Sequence, residues 1–133
     1  MISEPRHGWC NFKLRTFEGT PSYLTDVPVD LLDAFLDYYY NGMGMAWFDE
    51  EGTEFAFIIT PYSLFVIEEK GKPILHDFSE MKIENLAREL ISDIENDLEG
   101  WVEFTTEEDY EEKLQHNNEI RQRIAKLKKY LSK

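Results

Sequence analysis

Residues 45–68, MAWFDEEGTEFAFIITPYSLFVIE, decide the fold of this chain. Within this stretch, residues 45–48 and 54–59 have the composition of strands, and the polar residues 49–52 between them have that of a turn. The stretch therefore predicts a β-hairpin.

Two further strands are predicted after the hairpin. Residues 63–68 form the first, and the turn sequence KGKP at 70–73 leads into the second, near residues 74–78. The chain is apolar on both strand faces from Phe55 to Ile59 and again from Leu64 to Ile67, and such strands are usually central and covered on both sides. The sequence thus predicts helices on both faces of this sheet, or a dimer across one face.

The chain before the hairpin predicts two strands. Residues 8–17, GWCNFKLRTF, alternate so that Cys10, Phe12 and Leu14 share one core face. Residues 21–26 have the composition of a short return strand.

Three helices are predicted. Pro28 suits the first turn of one helix, and the Asn-Gly pair at 41–42 suits its end. Residues 81–99 hold the clearest apolar stripe at helical spacing. Thr105 followed by Glu108 is a capping-box signal for the last helix.

The predicted element order is β-β-α-β-β-β-β-α-α. This order indicates an α+β fold, with a mostly antiparallel sheet of about five to six strands packed against three helices. A length of 133 residues fits one domain, residues 1–133, and the 42% hydrophobic content suffices for a core without disulfides or metal.

Composition also bears on location and partners. A single cysteine, Cys10, excludes an internal disulfide framework, and no apolar run approaches the roughly 20 residues that cross a bilayer. We expect a cytoplasmic protein. The net charge of −13 repels nucleic-acid phosphates and anionic membranes, so the expected charged partner is a basic protein. Alternatively, the acidity serves only solubility.

The charge is unevenly distributed. Residues 80–112 hold thirteen acidic and two basic residues, whereas residues 113–133 hold seven basic residues and one acidic residue. Either the basic C-terminal segment lies against the acidic helix, or that helix faces a partner.

Two groups of carboxylates are candidates for contact with a basic partner. At about 100° per residue, one group falls on a solvent ridge of the helix 81–99, and the other lies at the hairpin tip. The candidate residues are Glu84, Glu95 and Glu99 on the helix and Asp49, Glu50 and Glu51 at the tip. For the tip, an ordinary solvated turn is the alternative.

Asp93 and Asp97 fall on the shoulder of the apolar stripe of the same helix. A half-buried carboxylate needs a hydrogen-bond donor. The alternatives are a structural partner, such as Arg6, Lys13, Arg15 or a backbone N–H, and the wall of an acidic pocket.

Catalytic signals are weak. His7, His76 and His116 are far apart in sequence and lack a second ligand at metal-site spacing. Cys10 shares the core face of its strand, which predicts a buried and inert thiol. Trp9 shares the other face with Lys13 and Arg15, which suits a nucleotide or, alternatively, a helix-covered tryptophan with cations near the acidic helix. We predict no catalytic residue, no cofactor and no metal.

Four segments carry a resemblance to known proteins. RHGWCNFKL, SYLTDVPVDLLDAF, WFDEEGTEFAFII and ENLARELISDIENDLEGW resemble uncharacterised small proteins of Firmicutes. In size, acidity and α+β build, the chain is similar to immunity proteins of bacterial toxin systems, including contact-dependent inhibition. The resemblance implies a protein that binds and neutralises a cognate toxin domain, commonly a basic nuclease. The alternatives are a self-associating structural or regulatory domain, possible as a homodimer, and an enzyme of unrecognised type.

Overall fold

The computed structural model describes residues 1–105 and 109–133, and in these residues seven strands and four helices follow one another. The strands are β1 (Ile2–Arg6), β2 (Trp9–Leu14), β3 (Phe17–Gly19), β4 (Gly44–Asp49), β5 (Glu54–Ile59), β6 (Leu64–Glu69) and β7 (Pro73–Asp77). The helices are α1 (Val27–Asn41), α2 (Ile83–Asn96), α3 (Leu98–Glu103) and α4 (Tyr110–Leu131). The α+β class is confirmed. The described strands, however, form two antiparallel sheets instead of one, and both strands and helices outnumber the prediction.

The four-stranded sheet has the order β4-β5-β6-β7, with every pair antiparallel. The predicted hairpin is confirmed as β4 and β5, with Phe48 opposite Phe55 and Ala46 opposite Phe57. These four residues are buried, because alternate side chains of each strand point to the same face. We call this side of the sheet the inner face.

The three-stranded sheet contains β1, which the sequence did not predict. Residues His7 and Gly8 join β1 to β2, and their φ angles of 56° and 78° suit a two-residue hairpin turn. The return strand predicted at residues 21–26 is confirmed only in part: the chain returns earlier, as β3, and then forms a single antiparallel bridge between Ser22 and Trp9. Tyr23 and Leu24 are 51% and 55% exposed.

The three-stranded sheet packs on the inner face of the four-stranded sheet. The Phe12 ring lies 5.1 Å from Phe55 and 6.1 Å from Phe57, between ring centroids. Cys10 is buried on the same side of β2, as predicted. Its burial raises the pKa of the thiol to about 12, so the thiolate is rare at neutral pH.

Helix α1 covers the rest of the inner face. Gly44 permits the close approach, because a Cβ atom at this position would lie 1.8 Å from the carbonyl oxygen of Ala34. The predicted bounds of α1 are confirmed at both ends. Asp26 caps the first turn by accepting a hydrogen bond from Val29 N, and Gly42 adopts φ 90° and donates to the Tyr38 carbonyl.

The helix predicted over 81–99 is divided at Asp97. Helix α2 ends at Asn96, and the Asp97 side chain caps α3 by accepting a hydrogen bond from Gly100 N at 3.1 Å. A Cβ atom on Gly100 would lie 2.6 Å from that carboxylate, so glycine allows the contact. Aspartate is a favoured N-cap, which explains the break within a continuous apolar stripe.

Helix α4 begins at Tyr110 and is capped by Asp109, which accepts hydrogen bonds from the backbone N–H groups of Glu111 and Glu112. Thr105 is therefore not its N-cap, and Glu108 lies outside the described residues. The helix packs on α1, α2 and α3. Within residues 1–105 and 109–133, no helix has the length and apolarity needed to cross a bilayer.

Candidate functional site

The predicted helix ridge is not continuous. Glu84 and Glu95 lie on α2, whereas the break at Asp97 places Glu99 on α3. The carboxylate of Glu95 accepts a hydrogen bond from Lys128 Nζ of α4 at 3.1 Å. Glu84 and Glu99 are exposed and form no ion pair with any residue that the structure describes. The basic C-terminal segment thus neutralises part of the ridge.

The two shoulder carboxylates have structural partners. Asp93 Oδ2 lies 2.7 Å from the Met1 α-amino group, and it also accepts a hydrogen bond from Ile2 N. Asp97 Oδ2 accepts a hydrogen bond from Arg6 Nη1 at 2.8 Å, and this contact holds the pKa of Asp97 below its usual value. A donor from the same chain therefore explains each carboxylate, and for Asp97 it is Arg6, one of the three basic residues that the sequence suggested.

The predicted hairpin tip is partly engaged in its own turn. Asp49 Oδ1 accepts a hydrogen bond from Glu51 N at 2.6 Å. The two oxygens of Glu50 accept hydrogen bonds from Thr20 N at 2.8 Å and from the Thr53 hydroxyl at 3.0 Å. Glu51 is exposed. The tip therefore has a fixed shape with outward negative charge.

The outer face of the four-stranded sheet is open to solvent. Met45, Trp47 and Leu75 are 57%, 42% and 61% exposed, and the apolar side chains of the two central strands on this face are half-buried. We call these apolar residues the open face: Met45, Trp47, Ala56, Ile58, Phe65, Ile67 and Leu75. Because the three-stranded sheet and α1 both lie on the inner face, the prediction of helices on both faces is wrong for the described residues.

The register of the sheet arranges the open face in two rows. Trp47 is opposite Ala56, Ala56 is opposite Ile67, and Ile67 is opposite Leu75. The second row continues from Met45 through Ile58 to Phe65. Large exposed apolar patches with a polar rim are typical of protein interaction sites.

A third row, at one end of the open face, is acidic. Asp49 lies opposite Glu54, and Glu54 lies opposite Glu69. We call these three residues the acidic row. None of the three forms an ion pair with a described residue, and the nearby Lys70 contacts Glu68 instead. Because like charges directly opposite each other destabilise a sheet, the acidic row has a cost to folding.

Sequence reasoning missed Glu54, Glu69 and Leu75. Alternation along each strand placed the residues on faces, but the site also depends on the cross-strand register. The hairpin turn carried a usable signal, because a four-residue connection between β4 and β5 sets Asp49 against Glu54. Asp49, which the sequence predicted as a contact residue, belongs to the acidic row.

His116 is a buried histidine that joins α3 to the N-cap of α1. Its Nδ1 lies 2.7 Å from the Val102 carbonyl oxygen, and its Nε2 lies 2.8 Å from Asp26 Oδ2. Both partner atoms are oxygens that accept hydrogen bonds, and this arrangement favours the protonated ring, in which both nitrogens donate. Burial opposes this charge, but the hydrogen bond and charge of Asp26, helped by Val102 and Glu119, outweigh burial and raise the pKa of His116.

His76 also has a carboxylate partner, but across the sheet. Its Nε2 lies 2.8 Å from Glu68 Oε1, and this hydrogen bond, ahead of a weaker one from Lys70, lowers the pKa of Glu68 against the opposing effect of burial. The adjacent Asp77 points away from His76, because neighbouring strand residues face opposite sides, and it accepts hydrogen bonds from Ser79. In the described part of the chain, no group of three or more His, Cys, Asp or Glu side chains is arranged to hold a metal ion.

On the face that carries Trp9, the prediction of a helix-covered tryptophan is wrong, whereas Arg15 lies near the start of the acidic helix, as predicted. Trp9 is 40% exposed, so no helix covers it. Lys13 pairs with Glu18 of its own sheet at 3.5 Å, and Arg15 pairs with Glu80 at 3.3 Å, just before α2. Both cations thus have acidic neighbours from the same chain.

Comparison of the chain with models of protein families, with curated proteins and with solved structures finds no match in any of the three.

Proposed function

We propose that this chain is an acidic protein-binding module of the immunity type, which binds and neutralises a basic toxin domain through its open face and acidic row. One observation carries the proposal: an uncovered apolar sheet face ends in a row of three carboxylates that lack an ion-pair partner among the described residues. An interface of this composition combines an apolar centre with a charged rim.

Electrostatics favours a basic partner for this surface. The acidic row adds a local negative potential to a chain whose net charge is already −13. Complementary charge raises the association rate and the specificity of a complex more than its affinity. A cationic partner would also relieve the repulsion within the row, so the cost to folding is offset on binding.

Self-association through the open face is the alternative function. It would bury the same apolar residues, but two copies would bring two net charges of −13 together. Sedimentation at increasing protein concentration separates the two proposals, because a stable monomer excludes self-association.

The function is tested by capture and reconstitution. The purified chain is used to capture proteins from its source cell, and a captured protein is then purified and its association rate measured at about 50 and about 300 mM salt. We expect the Glu54→Gln/Glu69→Gln variant to associate roughly tenfold more slowly at low salt. Co-expression should also protect cells from the toxicity of the partner.

The matched control is Glu84→Gln/Glu99→Gln, which removes two exposed carboxylates of α2 and α3 that form no ion pair within residues 1–105 and 109–133. We expect this variant to associate at the wild-type rate. A slower rate for the control alone would move the interface to the helices. A harmless partner, or one that is itself acidic, would contradict the immunity-type proposal.

A further inference from the structure

We infer that the occupant of the open face is an amphipathic α-helix of the partner, which lies along the strands and places Lys or Arg side chains over the acidic row. This inference rests on the proposed function and specifies the partner's contact element.

The open face runs across all four strands. On the two edge strands, Met45, Trp47 and Leu75 are each more than 40% exposed. Between them, Ala56 and Ile67 on the central strands are half-buried. The apolar surface is therefore continuous from one edge of the sheet to the other.

The dimensions suit a helix. Four strands span three interstrand spacings, which is about 14 Å, and an α-helix with its side chains is about 10–12 Å wide. The apolar rows and the acidic row together extend for about 14 Å along the strands, which corresponds to roughly nine helical residues. A helix that lies along the strands therefore fits on the open face and reaches the acidic row.

Charge argues against a second copy of this chain. Face to face, two copies would bring two acidic rows and two net charges of −13 together.

The charge around the open face determines which end of the bound helix carries the basic side chains. Asp49, Glu54 and Glu69 lie at one end only. At the other end, Asp77 is already engaged by Ser79 through its N–H and its hydroxyl. Lysine or arginine side chains on the last turn of a bound helix would meet the acidic row, and they are also favoured at a helix C-terminus.

The test uses a fluorescent synthetic amphipathic peptide of about 18 residues, long enough to form helix, with a leucine face and three lysines in its last turn. Its binding is measured by anisotropy against three forms of the full chain: wild type, Ala56→Phe, and Glu54→Gln/Glu69→Gln. Ala56→Phe places a bulky side chain at the centre of the open face, and it also adds apolar surface there. We expect it to raise the Kd at least about tenfold, whereas nonspecific hydrophobic adhesion would be unchanged or stronger.

The acidic row is tested with a second peptide, in which glutamates replace the three lysines. We expect wild type to prefer the lysine peptide, and Glu54→Gln/Glu69→Gln to lose that preference. Glu84→Gln/Glu99→Gln, the matched control, should keep it. Unfolding midpoints of all variants verify that they fold.

Three results would overturn the inference: no binding of the lysine peptide, an Ala56→Phe variant that binds it as well as wild type, or a wild-type dimer that Trp47→Ser/Leu75→Ser dissociates. A basic toxin that still binds through the acidic row while the peptide does not would refute the helix and leave the proposed function standing. Peptide binding in the absence of any toxin partner would support the helix and refute the proposed function.

Discussion

The helical side of the molecule and the open face of its sheet treat carboxylates differently. On the helical side, Asp97 pairs with Arg6, Asp33 pairs with Arg123, and Asp26 holds the buried His116. On the sheet side, the acidic row has no ion-pair partner among the described residues. The first arrangement ties elements of the chain together, and the second leaves charge available to another molecule.

The contrast changes how the charge of this chain is understood. The sequence concentrates acidic residues in 80–112, which directs attention to the helices. The structure shows that the chain's own cations and its α-amino group meet several of those carboxylates, including Glu89 and Glu95. Within the described residues, Glu84 and Glu99 of the helices and the three carboxylates of the acidic row form no ion pair, and the acidic row borders the open face. Local pairing, more than local density, determines which negative charge is free to attract a partner.

The largest expected effect on the helical side is that of His116→Leu. This change removes the buried ring that bridges Asp26 and the Val102 carbonyl and leaves the Asp26 carboxylate without that contact, so we expect the free energy of unfolding to fall by about 2–3 kcal/mol. Urea unfolding measures the loss. Asn118→Leu, an exposed position on the same helix, is the control and should change stability by less than about 0.5 kcal/mol. Equal stability of the two variants would mean that the His116 contacts add nothing.

The effect of His116 should depend on pH. Its pKa is raised above the ordinary value of 6.5, so its stabilisation is complete below about pH 6.5 and is lost as pH rises through the folded pKa. Burial, followed by the charges of Asp26 and Asp33, raises the pKa of Asp30 to about 6, so its own titration has largely ended by about pH 7.

The comparison is therefore made from about pH 7 to about pH 9. The stability difference between wild type and His116→Leu should shrink as pH rises over this range. A difference that stays constant or grows would show that the ring is not a cation in the folded state.

A smaller loss is expected at the α2–α3 junction. Asp97→Ala removes the cap of α3, and we expect a loss of about 1 kcal/mol in unfolding free energy. Asp97→Asn keeps an oxygen for Gly100 N but removes the negative charge, so it should retain most of the stability. If Asp97→Asn lowers the unfolding free energy as much as Asp97→Ala does, the Arg6 contact and not the cap holds the junction.

The smallest expected change, and one of opposite sign, lies in the acidic row. Glu54→Gln removes repulsion from Asp49 and Glu69, so stability should stay constant or rise by a few tenths of a kcal/mol. Glu95→Gln, which loses its contact with Lys128, should fall by a similar amount. Thermal unfolding of both variants checks the two signs. A clear loss for Glu54→Gln would make the acidic row structural and remove the contrast between the two sides.

Much of the four-stranded sheet was predictable, because its strands are short runs rich in apolar and aromatic residues and its turns are polar. Strand β1 was missed, because Pro5 and the left-handed Glu4 interrupt alternation and a bulge shifts the register between Ser3 and Arg6. The break at Asp97 was missed because the apolar stripe continues through Trp101, which is fully buried. A periodicity reports which side is apolar, not where a side chain caps a helix.

The candidate site was less predictable than the fold. Strand alternation correctly placed the apolar side chains of Ile58 and Ile67 on the face opposite the inner face. It contains no information about what covers that face. Coverage depends on where α1 and the three-stranded sheet pack, which requires long-range contacts such as Phe12 with Phe55. The partners of Asp93 likewise come from the other end of the sequence.

The buried thiol of Cys10 can be used to detect local opening of the folded chain. The side chain is 2% exposed, and the sequence holds no other cysteine. An alkylating reagent will modify it only when β2 separates from the core, so the rate of modification counts opening events without any engineered label. Mass spectrometry after short reagent pulses would then resolve whether a ligand on the distant open face slows those events.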